Sequence, residues 1–453
     1  MNAFHLILAT IAGIGLLLFL VIRMKVNAFI SLLVSSMFVG IAAGMPVGDI
    51  LDSIQKGMGN TLGFVATVVG LGAIFGQILE HSGGAEALAK QLLKKFGSEN
   101  ATWAMVITGF VVAIPVFFDV GFIILVPLVY TLAERTGKSL LYYGIPLLTG
   151  LAVTHSFVPP TPGPIAVADI LGADLGWVIL FGFVIGVPAA ILAGPVFGSY
   201  ISKKINVTVP DYIDMEKGSE EEDLPPFWLI VGIIAVPLIL ILGNTLTDTL
   251  LKEHIISKGW ITDLFTFIGH PFVALTIATI MAMYWLGSQR GTTREQLSKL
   301  SMKAMQPAGI IILITGAGGI FKQILIDSGV GSLLAHGMSD LGLPVIVLAY
   351  FIAVAVRVTQ GSSTVSMITA AGIVAPVIKQ LSMSQPQIAL TVLAIASGAT
   401  ILSHVNDSGF WLVNRYLGLT EKETLRSWTM METIISVSGF IGAISLSILF
   451  KFV

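Results

Sequence analysis

The sequence predicts an all-α membrane protein of two inverted-topology repeats, each with about five transmembrane helices, a re-entrant hairpin and a broken helix. Three observations predict it. First, the 453 residues are 55% hydrophobic and 11% charged, whereas a soluble domain carries about 25% charged residues. With a mean hydropathy of +0.92, the chain lacks the polar residues to cover itself in water. Second, Gly70–Ala89 recurs as Gly316–Ala335, 246 residues later, with 11 of 20 positions identical, where composition alone gives roughly two. Third, the positive charges segregate to one side when the second half is inverted.

Apolar runs long enough to span as helices begin with Phe4–Ile22, Asn27–Met45, Thr61–Glu80, Trp103–Tyr130, Tyr142–Leu171 and Trp177–Ile201. Phe227–Leu246, Leu264–Leu286, Ala308–Ile326, Val345–Ile378, Ile388–Val413 and Met430–Phe452 follow. The first lacks a positive n-region and a small-residue cleavage site, so it reads as a span and not a removed signal. There is no cysteine, which excludes disulfides and thiolate metal sites. Nothing in the composition points to nucleic acid as a partner.

Trp103–Tyr130 is interrupted by Pro115, Asp119, Gly121 and Pro127, and Val345–Ile378 by Arg357, Gln360, Gly361 and Pro376. Unsatisfied in lipid, such groups cost several kcal/mol each, so both segments read as re-entrant hairpins. Five crossings then remain in the first half, and an odd number inverts the second. With both termini outside, 17 of the 24 Lys and Arg fall inside, 6 outside, and Arg357 lies within the second hairpin. The domains are a first repeat over 1–208, an acidic cytoplasmic linker over 209–226 and a second, inverted repeat over 227–453. Glu86–Gly97, with Lys90, Lys94 and Lys95, reads as an amphipathic helix in the interface.

Four polar, Gly/Pro-rich interruptions lie inside the apolar segments, two per half. They are Phe117–Gly121, Thr154–Pro164, Thr359–Thr364 and Ser403–Gly409. The repeat pairs Ser156 with Ser403, 247 residues apart. Unwinding a helix at mid-membrane exposes half-helix N-termini that suit an anionic carboxylate, and this is tolerated only around a cavity or inside protein. Inverted repeats with paired breaks are the mark of a secondary transporter. The candidate substrate-binding residues are Ser156, Thr161, Gly163, Arg357, Gln360, Ser362, Ser363, Thr364, Ser403, Asn406 and Ser408. Arg357 offers a bidentate clamp for a carboxylate, with snorkelling or a structural pair as its competing role. The Ser/Thr cluster suits a polyhydroxylated substrate or ordinary tip capping. The candidate proton-coupling residues are Asp119, His155, His404 and Asp407. A helix cap competes with that role at Asp119, a hydrogen-bonded structural group at the histidines, and a local turn at Asp407. The duplicated Gly-rich stretch reads as helix packing.

The chain resembles the gluconate:proton symporter (GntP) family of bacterial inner-membrane permeases. Pro115–Phe122, Val153–Pro164, Phe321–Gly329 and Leu402–Leu412 carry the resemblance, which covers essentially the whole chain. It implies a multi-pass protein of the bacterial inner membrane that imports a sugar-acid or short hydroxy-acid monocarboxylate, such as gluconate, with protons. It also implies an elevator-type motion, a homodimer and no cofactor beyond the proton gradient. Two positions depart from the family pattern. Thr161 stands where members carry histidine in Pro-Pro-His-Pro-Gly-Pro, and Asp119 stands where gluconate-type members carry Glu. Coupling to sodium through Asn406, Asp407, Ser362 and freed carbonyls is an alternative of the same architecture. An intramembrane enzyme is a distant one, since the chain has no His-Glu-x-x-His and no cysteine nucleophile.

Overall fold

The computed structural model describes residues 3–97, 100–209, 224–329, 344–381 and 383–450. Most of the predicted acidic linker, 210–223, and the end of the second duplicated stretch, 330–335, lie outside the described residues. Among the described residues all regular structure is helical. Among the same residues seven helical segments are long and apolar enough to cross a membrane.

The first half runs α1 (Ala3–Leu18), α2 (Ala28–Ala42), α3 (Val47–His81), α4 (Gly84–Phe96), α5 (Ala101–Val112), α6 (Phe118–Thr136), α7 (Leu140–Phe157), α8 (Pro162–Leu171) and α9 (Leu175–Ile201). The second runs α10 (Phe227–Lys252), α11 (Trp260–Ile268), α12 (Pro271–Arg290), α13 (Arg294–Asp327), α14 (Val345–Gln360), α15 (Ser363–Gln380), α16 (Gln385–Gly398), α17 (Ser408–Tyr416) and α18 (Glu421–Leu449). Their starts are written in local chemistry. Asn27, Ser139 and Asp174 accept hydrogen bonds from the first-turn N–H groups of α2, α7 and α9, and Thr293–Gln296 and Thr420–Glu423 form capping boxes on α13 and α18.

The apolar runs Thr61–Glu80 and Ala308–Ile326 are the inner parts of much longer helices, α3 and α13, of 35 and 34 residues. Charges such as Asp49, Asp52 and Lys56 cut the apolar window short, yet the helix continues because Ile50, Ser53 and Gly57 are buried. Leu264–Leu286 is split. Gly269 ends α11, His270 caps the next helix and Pro271 occupies its first position.

α3 and α13 form the most extensive helix pair. They run antiparallel, Ser53 Oγ donating to Asp327 Oδ2 at 2.6 Å while Gly70 faces Met305. At their crossing a Cβ on Gly57 would stand 2.6 Å from the Gly319 carbonyl oxygen. In lipid, contact of this kind and not water expulsion holds helices together. The two predicted hairpins are each two helices joined by a short turn, α5–α6 through 113–117 and α14–α15 through 361–362. α5 packs on α7, α14 packs on α16, and α4 lies against α5. α7 and α8 form the most buried of the long apolar segments. Leu180, Val184, Val187 and Leu192 make an exposed apolar stripe on α9, as a lipid-facing helix requires.

Candidate functional site

The two hairpin tips and the two broken helices converge on a cavity of about 340 Å³. α6 contributes Phe118, Asp119 and Val120, α7 contributes Ala152, His155 and Ser156, and α13 contributes Pro307 and Ile311. Arg357, Ser362, Ser363 and Thr364 come from the second hairpin. Asp407, Ser408 and Gly409 come from the start of α17, and Trp428 and Glu432 from α18. The first turns of α6, α15 and α17 all face this space, so three partly positive helix ends point at one volume.

Arg357 is the cation of this lining. It is 2% exposed, and its Nη2 donates to Asp407 Oδ2 at 2.7 Å. Its Nε and Nη1 are buried without a hydrogen-bond partner. A guanidinium carries five N–H donors in a planar fork, so donors are left unspent inside a polar cavity. Ser363 Oγ and His155 Nδ1 are likewise buried and unpartnered, and all three residues line the cavity.

The break after α16 is held from three sides. Asp407 caps α17, accepting from Gly409 N at 3.1 Å as well as from Arg357 and from Ser403 Oγ at 2.5 Å. Ser403 Oγ accepts in turn from Trp428 Nε1 at 2.7 Å, and Thr429 Oγ1 donates to the Ser403 carbonyl. Leu402 adopts a left-handed backbone, φ 47°, a conformation that costs a non-glycine residue about 1 kcal/mol or more. Thr400 Oγ1 donates to Ser156 Oγ at 3.1 Å and joins the second break to the first.

Of the residues singled out in the sequence, Asp119, His155, Ser156, Arg357, Ser362, Ser363, Thr364, Asp407 and Ser408 line the cavity. Six do not. Ser403 supports Asp407 from behind. His404 Nε2 lies 3.0 Å from the Val358 carbonyl oxygen, and Asn406 Nδ2 donates to the same oxygen at 3.2 Å. The two serve a last-turn carbonyl of α14 that has no partner within its helix. Gln360 lies in a crevice beside Leu17, Ala28 and Leu32. Thr161 is buried in a tight crevice beside Pro115, its hydroxyl donating to the Val158 carbonyl. Gly163 packs against the Met367 sulfur.

Sequence reasoning missed α18 as a contributor. Met430–Phe452 reads as a plain span, although Glu432 is an acid inside that apolar run, and an intramembrane acid is itself a signal. Trp428 and Glu432, four apart, stand on one helix face and both line the cavity. Phe118 packs on Trp428 with ring centroids 5.4 Å apart.

Known proteins match this chain from end to end. The family model described as GntP family permease matches residues 5–449. The low-affinity gluconate transporter of Escherichia coli K12 is 41% identical over 450 residues, covering 99% of this chain and 100% of the relative. The Gnt-II system L-idonate transporter of the same organism is 40% identical, with coverage of 96% and 98%. The gluconate permease of Bacillus subtilis is 39% identical, with coverage of 94% and 96%. Among solved structures, the YdaH transporter of Alcanivorax borkumensis shares the fold at a TM-score of 0.62 with 16% identity, over 90% of each chain. MtrF of Neisseria gonorrhoeae does so at 0.62 with 15% identity, over 88% of this chain and 84% of its own. On the full-length match, this chain belongs to the GntP family of permeases and is a membrane transporter, not an enzyme.

Proposed function

We propose that the chain is a proton symporter that imports a gluconate-type sugar acid across the bacterial inner membrane. The observation that carries this reading is the unspent guanidinium of Arg357, facing a cavity ringed by helix N-termini and hydroxyl groups. A carboxylate is the complement of that fork, and Ser362, Ser363, Thr364 and Ser408 suit the hydroxyls of the rest of the substrate. A volume of about 340 Å³ lies in the range of small-molecule sites. The names of the relatives, gluconate and L-idonate transporters, agree with this substrate class.

Charge supports the proton. The lining carries one cation, Arg357, and three carboxyl groups, Asp119, Asp407 and Glu432. Adding an anion to that set is costly in a low-dielectric interior, and a proton taken up with the anion removes the cost. The antiparallel crossing of α3 and α13, which hold the first twelve residues of each copy of the duplicated stretch, supports inverted repeats. In this reading α5–α9 and α14–α18 move as an elevator against a frame of α1–α3 and α10–α13, in a homodimer with both termini outside.

The test is uptake of labelled gluconate into proteoliposomes of the purified full chain. A pH gradient, acid outside, drives accumulation. A sodium gradient at equal pH on both sides does not, and accumulation on sodium alone overturns the coupling ion.

A further inference from the structure

The three carboxyl groups of the cavity are not equivalent. Asp407 has a full set of partners: Arg357, Ser403 Oγ and the Gly409 N–H. Asp119 is exposed, in the first turn of α6 at the cavity. Glu432 differs from both. It is 4% exposed and lies in the interior of the 29-residue α18, remote from both helix ends. The cation of the cavity, Arg357, has its ion pair with Asp407.

We infer that Glu432 is the coupling acid, the residue that holds the transported proton while the substrate anion occupies Arg357. The inference rests on the reading of this cavity as the substrate site. In the empty cavity the N–H groups of Arg357 that Asp407 leaves open have no hydrogen-bond partner, and Glu432 lines the same space. When the substrate carboxylate takes those N–H groups, one proton from the aqueous side binds a Glu432 carboxyl oxygen. One negative charge and one positive charge enter together, so the net charge of the cavity is unchanged and the loaded unit crosses without a new buried charge. The titratable and charged groups facing Glu432 across the cavity are Asp119 on α6, His155 on α7, Arg357 on α14 and Asp407 at the start of α17. Pro307 and Ile311 on α13 bring no charge.

The experiment is calorimetric titration of gluconate into the detergent-purified full chain across a pH series, repeated in buffers of different ionisation heat. One proton bound per anion makes the wild-type Kd weaken about tenfold per pH unit as pH rises above the coupling range. Glu432→Gln is expected to flatten that dependence and abolish the buffer-dependent heat. Glu432→Asp, which keeps a carboxyl, is expected to retain the slope with a displaced midpoint, and it carries the test if the Gln variant does not fold. A full slope in folded Glu432→Gln, or none in folded Glu432→Asp, overturns the role of Glu432 and leaves the substrate reading intact. A wild-type Kd that does not move with pH overturns both proton symport and the coupling acid.

Discussion

Arg357 Nη2 stands 2.7 Å from Asp407 Oδ2, and this part-buried pair ties the end of α14 to the break after α16. The two residues are 50 apart in sequence and come from different interruptions of the apolar chain. Their contact makes one site from a hairpin tip and a broken helix. It also sets how many guanidinium donors stay open to the cavity.

Breaking this pair from either side has different consequences. Asp407→Ala leaves a buried cation uncompensated, a loss of about 3–5 kcal/mol, read as a lowered melting temperature of the purified protein. Arg357→Lys keeps the charge but not the planar fork. It is expected to lower gluconate affinity by about 1.5–3 kcal/mol, the worth of hydrogen bonds to a charged group, with a smaller change in melting than Asp407→Ala.

Asp119 faces the cavity as a charge of the same sign as the substrate. Asp119→Asn is expected to tighten anion binding by about 0.5–1 kcal/mol, roughly twofold to fivefold, while the pH dependence of binding persists. A flattened pH dependence in this variant moves the proton from Glu432 to Asp119.

Gly361 takes φ +89°, and a Cβ there would lie 2.3 Å from the Asn406 carbonyl oxygen. Gly361→Ala therefore both strains the backbone and pushes the hairpin tip off the second break. The expected destabilisation is about 1–3 kcal/mol from the backbone alone, measured by thermal melting, with a further fall in transport as the tip leaves its position.

The link from Trp428 through Ser403 to Asp407 is a hydrogen-bonded chain. Trp428→Phe and Ser403→Ala are each expected to cost about 0.5–1.5 kcal/mol. The double variant costs less than their sum, because both remove the same bond. Strict additivity in melting experiments contradicts the chain.

Thr161 tests the departure from the family motif. It is 4% exposed in a crevice closed by Pro115 and Pro160. Thr161→His overfills that space and is expected to cost about 1–3 kcal/mol of stability. The pH profile of gluconate uptake is expected to stay as it is, since the side chain does not reach the cavity.

Much of this architecture is legible in the sequence. The starts of α2, α7 and α9 fall within two residues of the predicted spans, where Asn27, Ser139 and Asp174 cap them, whereas α18 starts at Glu421 behind its Thr420 cap, nine residues before the predicted Met430. The break at Thr154–Pro164 follows from its prolines, which cannot continue a regular helix, and the one at Ser403–Gly409 from a polar run, Ser403 to Ser408, inside an apolar segment. The lengths of α3 and α13 do not follow, because the polar first half of each packs on the apolar second half of the other across the antiparallel crossing. The assignments of His404, Asn406 and Ser403 to the site were close in sequence and off in direction: their side chains hold the break together instead of lining the cavity.

The sequence by itself determined that this chain is helical, membrane-embedded, duplicated and interrupted at four places, since composition, periodicity and turn chemistry act over short range. Only the tertiary structure decided which polar groups meet. Arg357 and Asp407 pair, Trp428 reaches Ser403, and Glu432 enters the cavity from a helix that reads as an ordinary span. The reason is physical. A buried polar group is settled by the partner that satisfies it, and that partner is chosen by how distant helices pack.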